Sequence, residues 1–587
     1  VAENITVITA REIERMNAHS VAEVLNRIPG VLLQSFTQDF GAPSLMKIQG
    51  SEDRHVLVLV DGISWNFMAS GGAEANSIPV GIIERIEVVK GPASSAWGSS
   101  LGGVVNIITK EVGTTERPTG SLQASYGERE TQDYRAQFAG EAGRVGYYLF
   151  VGRQESDGLR DSRKFDTYQF YSKINASLGS NTNLGFTLGY TDPEFHIGDF
   201  PSGDLSQTGL GRTFFVTSSL DAAFSKNLSL QISFHHFQQK SVQEAEALGL
   251  GFLGLPGERF LDTVYDESTT GGSAKLVWEE KRHTAVLGID LDYGTLHQTL
   301  TAGSLLQMFG APAQASSRPE IDKWAVYAND TFVIGKFSIT PGVRYDHNSI
   351  TGSFTSPSLG ITYRVRSDSI VRASVARGFT IPPLSTTSGG GLFLDPNSSL
   401  DEETVWSYQA GFETAALKHL WIKINLFRHE LDDFLVTEWG GGGPPTYNDI
   451  VVNNGEVRRQ GFELEAETVP FHHFSLLVGF SYVHFTPSTG EDSEDIYEYT
   501  VGMRYDDADT LYAELFGHYV WWDNHIPLSA SYDDFIVDLN LTKRVYLQGK
   551  TAVYLFSTAH NLLNGFQYLN ESKNPRRWME AGVRITF

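Results

Sequence analysis

The sequence contains no cysteine among its 587 residues. Disulfides, thiolate metal sites and cysteine nucleophiles are therefore excluded. Long apolar runs are missing too. A spanning helix needs about 20 consecutive apolar residues, and the runs here are of the length of Val56–Val60. The chain is thus either soluble or crosses a membrane as strands. Positive charge is scarce: 45 Lys and Arg face 70 Asp and Glu, a formal net charge of −25. Nucleic-acid binders carry a basic face, so no nucleic-acid partner is expected. The acidity reads as solvated loops and a polar interior wall. Catalytic signatures are absent as well. There is no Gly-x-Ser-x-Gly elbow and no His-Glu-x-x-His pair, and the run Gly440–Gly443 lacks the Lys-Ser/Thr of a phosphate loop. No enzymatic activity is expected.

What is present suits strands. Apolar residues make up 41% of the chain, enough for a folded protein. The 24 Tyr, 36 Phe, 10 Trp and 58 Gly suit strands, tight turns and aromatic girdles. Residues 1–115 read as a mixed α and β domain. Thr9 and Glu12 have the spacing of a capping box, predicting a helix from Ala10; Ser20 and Glu23 predict a second, ended by Pro29-Gly30. His55–Val60 reads as a strand buried on both faces and closed by an Asp61-Gly62 turn. Ile82–Lys90 and Val104–Thr109 read as further strands.

Residues 116–587 follow a different rule, alternation with period two. Leu184, Phe186, Leu188 and Tyr190 alternate with small or polar residues. Phe462, Leu464 and Ala466 alternate with Glu463, Glu465 and Glu467. In the last strand Met579, Ala581, Val583, Ile585 and Phe587 share one face; Trp578, Glu580, Gly582, Arg584 and Thr586 share the other. A transmembrane barrel turns its apolar face to lipid and its polar face to the lumen. Spread over about 470 residues, 22 strands leave roughly 21 residues per strand and connection, and 16 strands roughly 29; a membrane strand takes roughly 9–11. Both counts stay open on length alone. Long loops are expected at Phe200–Arg212, Lys240–Asp266, His297–Asp322, Thr380–Glu402, Glu438–Gly455 and Pro487–Tyr497. Trp406, Trp421, Trp439, Trp521, Trp522 and Trp578 are expected at the membrane interface. His235-His236 and His472-His473 are expected on strands, where neighbours point to opposite faces, so neither pair chelates one metal.

Beyond these patterns the residues resemble the TonB-dependent outer-membrane receptors. The resemblance runs through Val7-Ile8-Thr9, Val21–Leu25, Ile28–Val31, Lys47–Gly50, His55–Gly62, Ile82–Pro92, Trp97–Ser99 and Gly102–Thr109. In the second domain it is carried by Pro341–Asp346, Ala376–Pro382, Asn454-Gly455 with Arg459–Glu463, and Asn561–Asn564 with Pro575–Arg577. The N-terminal part is most similar to receptors of the cobalamin type. The resemblance implies an all-β barrel of 22 antiparallel strands in the bacterial outer membrane, with an α+β plug inside its lumen. It implies active uptake of a scarce ligand, a cobalamin-like compound or a ferric siderophore, driven by periplasmic TonB. It also implies a monomer set in outer-membrane lipid, including lipopolysaccharide. A TonB box is not recognisable before Ile5, and the resemblance places it upstream. A passive channel or a surface adhesin is the alternative from another class, and a plug argues against it. Haem or another metal complex is the alternative cargo, but Thr380–Glu402 lacks the histidine that haem receptors of the family usually carry there. A transcription-signalling receptor would need an additional N-terminal domain.

Candidate ligand contacts follow from the plug tips, Gln34–Pro43 and Ser64–Gly72. Phe36, Phe40, Trp65, Asn66, Phe67 and Met68 could form the floor of a pocket, against the plainer reading of packing on the barrel wall. Exchanging Trp65 and Phe67 for alanine is then expected to weaken uptake and spare folding. Trp439, Trp521 and Trp522 are the loop candidates. No cofactor is required. Calcium is the cation that the resemblance to cobalamin receptors admits, at Asp157, Asp161 and Asp166, although these lack the tight spacing of a calcium loop. Glu491, Asp492, Glu494 and Asp495 read as a solvated acidic loop.

Overall fold

The computed structural model describes residues 2–33, 44–160, 162–251, 253–392, 394–438, 449–487, 493–508, 510–522, 530–532, 534–569 and 572–587. The predicted capping box forms. Thr9 Oγ1 accepts from the Glu12 amide, and Glu12 Oε2 accepts from the Thr9 amide at 2.8 Å, starting the helix Ala10–Met16. At Val21–Leu25 Ser20 caps the Glu23 amide, while Glu23 reaches back to the His19 amide at 3.1 Å. The box is thus displaced by one residue, which draws His19 into a fixed position. Asp61 and Gly62 both adopt positive φ, 47° and 88°, as a two-residue hairpin loop requires; they join Val56–Val60 to Ile63–Ser64.

These elements build a five-stranded sheet in the order Asn4–Thr9, Ile83–Lys90, Gly103–Thr109, Val56–Val60, Ile63–Ser64. Val56–Val60 runs parallel to Gly103–Thr109 and is buried along its whole length. The sheet and helices share an apolar core with the barrel wall, where Tyr148, Phe150, Tyr171, Phe215 and Phe237 join the plug side chains.

Around this plug runs a closed barrel of 22 antiparallel strands, from Thr119–Gly127 to Trp578–Thr586. Closure is made by Glu580 opposite Gly127 through Thr586 opposite Ser121. The predicted parity holds in the last strand: Glu580 and Arg584 are buried, and Met579 is 46% exposed on the outer face. Short connections such as 143–144, 281–282, 335–336 and 549–550 alternate with long ones such as 248–258, 303–319, 381–402 and 561–577. The short set defines the periplasmic end and the long set the outside.

The expected loops were drawn too wide. Phe200–Arg212 is mostly strand, since Leu205–Ala223 is continuous. Of Lys240–Asp266 only 248–258 is connection, between the strands Leu228–Ala247 and Arg259–Glu280. Strands of 20 and 22 residues are about twice what the bilayer requires, so their outer halves stand in water. There both faces turn polar and imitate a loop. His472 and His473 also depart from expectation. They sit in the short turn 469–473 with positive φ, 48° and 70°.

Candidate functional site

The plug is fastened to the wall by buried pairs in which the plug supplies the cation and the barrel the carboxylate. Lys90 Nζ lies 3.2 Å from Glu463 and 3.6 Å from Glu465, and it donates to the Pro29 carbonyl at 2.5 Å. Asn4 and Gln49 also donate to Glu463, at 2.7 and 3.1 Å. Arg54 forms a two-pronged pair with Glu403 at 2.8 and 2.9 Å, and His55 meets the same carboxylate at 3.1 Å. Arg27 meets Glu514 at 2.5 Å and stacks over Phe516. His19 lies between Asp133 and Glu580, 2.7 Å from each. Part of the chain's acidity is therefore spent on holding the plug. The partners stand hundreds of residues apart, so no local spacing announces them.

Burial alone would lower the Lys90 ammonium, but Glu463 and Glu465 outweigh it and hold the group above its ordinary 10.5. A raised lysine stabilises the fold at every pH below its unfolded value and loses that effect as pH rises through the folded one. The Lys90 ammonium's contribution to plug seating is thus expected to be constant from about pH 8 to about pH 9, above the titration of the neighbouring acid Glu498 and more than one unit below that of Lys90 itself. Plug denaturation profiles across that range test this. A loss of Lys90-dependent seating within that range would contradict it.

Beside the Arg54–Glu403 pair the plug stands away from the wall. A cavity of ≈ 930 Å³ opens there. Its plug side carries Phe67 and Met68 of the tip Ser64–Gly72, and its wall carries Asp290, Asp292, Arg344 and Asp346. Arg344 bridges Asp290 and Asp346 at 2.7 and 2.8 Å, and His235 lies 3.2 Å from Asp292. The cavity reaches down to Asn175, Asp221 and Lys275 near the periplasmic strand ends. An apolar tip facing a few polar groups is the usual make-up of a small-molecule site.

The tip is held from two sides. The Met68 and Ala69 amides donate to Glu267 at 2.7 and 2.9 Å. From the extracellular connection 381–402, the Leu384 amide donates to the Met68 carbonyl at 2.8 Å. Leu384 packs with Ala69, Leu296 and Ile321, and Met68 lies against them. Glu267→Ala is expected to strand two largely buried amides at about 1–3 kcal/mol each and loosen the tip. Hydrogen exchange at Met68 and Ala69 reads this directly, and unchanged protection would refute it.

The predicted contacts are placed unevenly. Phe67 and Met68 line the cavity, and so does Asn66. The Asn66 side chain, however, shapes the tip: it accepts from the Val58 amide and donates to the Val56 and Gly71 carbonyls. Trp65 is 1% exposed. Its ring packs against Phe215 and Phe237, and its indole N–H donates to Ser77 at 2.7 Å. It presents nothing to a ligand in this state. Trp521 and Trp522 fall on opposite faces. Trp521 joins Tyr497 in the outer aromatic belt, whereas Trp522 donates to Glu494 and packs with Leu32 and Val483 inside. Trp578, expected at the membrane interface, is instead 2% exposed and stacks on His560 in the lumen. It shares the inward parity of Glu580. Asp157 lies 3.9 Å from Lys164, and Asp166 3.1 Å from Arg153. Asp495 meets His484 at 2.8 Å. Phe36, Phe40, Asp161, Trp439, Glu491 and Asp492 lie outside the described residues.

A barrel closed on itself, filled by its own N-terminal domain and holding a cavity beside the plug tip, defines the class of plugged outer-membrane receptors. Residues 1–104 match the TonB-dependent Receptor Plug Domain, and residues 125–567 match the TonB dependent receptor-like beta-barrel. The chain belongs to the TonB-dependent receptor family and resides in the outer membrane. It is 25% identical over 552 residues to the vitamin B12 transporter BtuB of Vibrio vulnificus (strain CMCP6), covering 92% of this chain and 80% of that protein. Its fold is similar to the siderophore receptor PirA of Acinetobacter baumannii, with TM-score 0.77, 17% identity and 99% and 98% of the two chains covered. It is also similar to a variant of the ferric enterobactin receptor PfeA of Pseudomonas aeruginosa, solved with enterobactin. There the TM-score is 0.78 and the identity 17%, with each chain covered in full.

Proposed function

We propose that this receptor binds a compact cobalamin-like compound or a ferric siderophore in the cavity beside the plug tip and imports it with force supplied by TonB. The observation that carries this reading is the cavity floor. Phe67 and Met68 belong to the same plug tip that Leu384 of an extracellular connection grips. A ligand seated there touches both the outer rim and the plug, so its binding energy can differ between two plug states, which coupling requires. At ≈ 930 Å³ the cavity lies near the upper end of the range for small-molecule sites. The vitamin B12 transporter of Vibrio supports the cobalamin arm and the siderophore receptors the other. No catalytic step is assigned to the chain, and it acts as a monomer in outer-membrane lipid, with lipopolysaccharide around its outer rim.

The test is calorimetric titration of the purified protein with cyanocobalamin and with ferric enterobactin, followed by uptake in cells with and without TonB. Saturable binding of one of them is expected, together with uptake that vanishes without TonB. Phe67→Ala with Met68→Ala is expected to weaken binding about 10- to 100-fold, from the loss of two apolar contacts. A large steady conductance from the intact chain in planar bilayers, with neither ligand bound, would overturn the reading in favour of a passive channel.

A further inference from the structure

A cluster outside the lining of that cavity joins the plug to the seam where the barrel closes. His19 comes from the plug, His560 from the strand Thr551–His560, and Glu580 from the last strand. All three are buried, and their ligand atoms lie within 4.8 Å of one another. His19 Nε2 is 2.7 Å from Glu580 Oε1, and His560 Nε2 is 3.4 Å from the same oxygen. We propose that His19, His560 and Glu580 form a site for one borderline divalent cation of the zinc class, which staples the plug to the closing seam.

Three features point to a metal beyond the convergence itself. First, both imidazoles turn Nε2 toward one carboxylate, and the other oxygen of that carboxylate, Oε2, is buried without a hydrogen-bond partner among the described residues. A buried, unsatisfied carboxylate oxygen is costly, and a cation held by both oxygens satisfies it. Second, the remaining nitrogen of His19, Nδ1, is 2.7 Å from Asp133 Oδ2. Asp133 is itself fixed by Arg135 Nε at 2.8 Å and by Gln154 at 2.9 Å. A carboxylate on the far nitrogen is the usual support of a metal-ligating histidine: it sets the tautomer and aims the ring. Third, the surroundings are acidic: Asp133, Glu580 and the neighbouring Glu23 outnumber Arg135, which suits a cation bound by two neutral imidazoles.

With metal bonds of about 2.0–2.1 Å, donors on a tetrahedral edge stand about 3.3 Å apart. The His560–Glu580 spacing already meets this. The His19–Glu580 contact of 2.7 Å must open by roughly 0.6 Å through a turn of the Glu580 carboxylate, since Asp133 bars His19 from moving back. The three donors, within 4.8 Å of one another, must draw in around the ion. His560 is held by stacking on Trp578, ring centroids 4.0 Å apart. Two imidazoles and a carboxylate favour zinc over calcium or magnesium, which take oxygen ligands. The site is enclosed, so the ion is taken up as the plug and seam come together.

The test is metal content. The full chain is purified from outer membranes without chelator, then unfolded and refolded in detergent with zinc or cobalt. About one equivalent of metal per chain is expected to survive desalting, and cobalt is expected to show the intense visible bands of tetrahedral coordination. His560→Gln keeps a hydrogen-bonding side chain and is expected to lower retained metal at least about tenfold. Asp133→Asn is expected to weaken binding about 10- to 100-fold without removing a ligand. Heat-modifiable migration in gels shows that each variant has closed its barrel. A folded wild-type chain that takes up no zinc makes the cluster a proton-bridged contact only and overturns the proposal. So does full retention by folded His560→Gln.

Discussion

Lys90→Met is expected to release the plug at a markedly lower denaturant concentration than the parent chain, with the barrel transition unchanged. The ammonium is fully buried and neutralises Glu463 and Glu465 together. Methionine matches its bulk but leaves two acids in the lumen with only Lys423, 3.1 Å from Glu465, to oppose them among the described residues. Removing one partner of a buried ion pair costs about 3–5 kcal/mol. Glu463 keeps only the neutral donors Asn4 and Gln49, which satisfy its oxygens but do not offset its charge. Hydrogen exchange along Asn4–Thr9 and Ile83–Lys90 is expected to accelerate first. The double variant Lys90→Met with Glu463→Gln is expected to recover part of the loss. Glu465 is then the acid that remains beside the substituted side chain, and Lys423 still pairs with it. Identical plug transitions in the parent chain and Lys90→Met would show that these acids are solvated in the lumen.

Trp65→Ala is expected to destabilise the plug by about 3–5 kcal/mol, the usual cost of truncating a buried large aromatic. This reverses the expectation drawn from the tip's composition, that changing Trp65 spares folding. Trp65 fills the contact between the plug and the rings of Phe215 and Phe237, and alanine leaves a cavity that two opposed rigid surfaces close poorly. Phe67→Ala, on the cavity surface, is expected to leave the plug transition nearly unchanged. Comparing the two by plug-specific denaturation separates packing from ligand contact. Equal transitions for Trp65→Ala and Phe67→Ala would refute the assignment.

The contrast between these neighbours shows where sequence reading reached its limit. Alternation told inside from outside along the barrel because the period is two and the environment differs across the wall. Hence Met579 and Glu580 were separable by parity alone. Above the membrane both faces meet water, and strands such as Arg259–Glu280 lost their signature. The plug tip is irregular, so no period distinguishes the buried Trp65 from Phe67 at the cavity. The pairing of Lys90 with Glu463 and of His19 with Glu580 depends on how the plug is rotated within the barrel. One legible hint existed: Glu463, Glu465 and Glu467 occupy the polar face of one strand, an acid row that calls for cations from whatever fills the lumen.

The seam also governs the order in which the molecule is made. Glu580 pairs with Gly127 across 453 residues of chain (580 less 127), and His19 meets it across 561. Such long-range closures carry the largest loop entropy in the chain and form late in folding. Until the last strand arrives, the sheet has two open edges able to template foreign strands. A plug residue that touches the second strand at Asp133 and the last at Glu580 gives the arriving strand a landmark in register. A plug absent or misfolded at that moment would therefore slow barrel closure itself, and the incomplete sheet would be exposed to proteases and to its own copies.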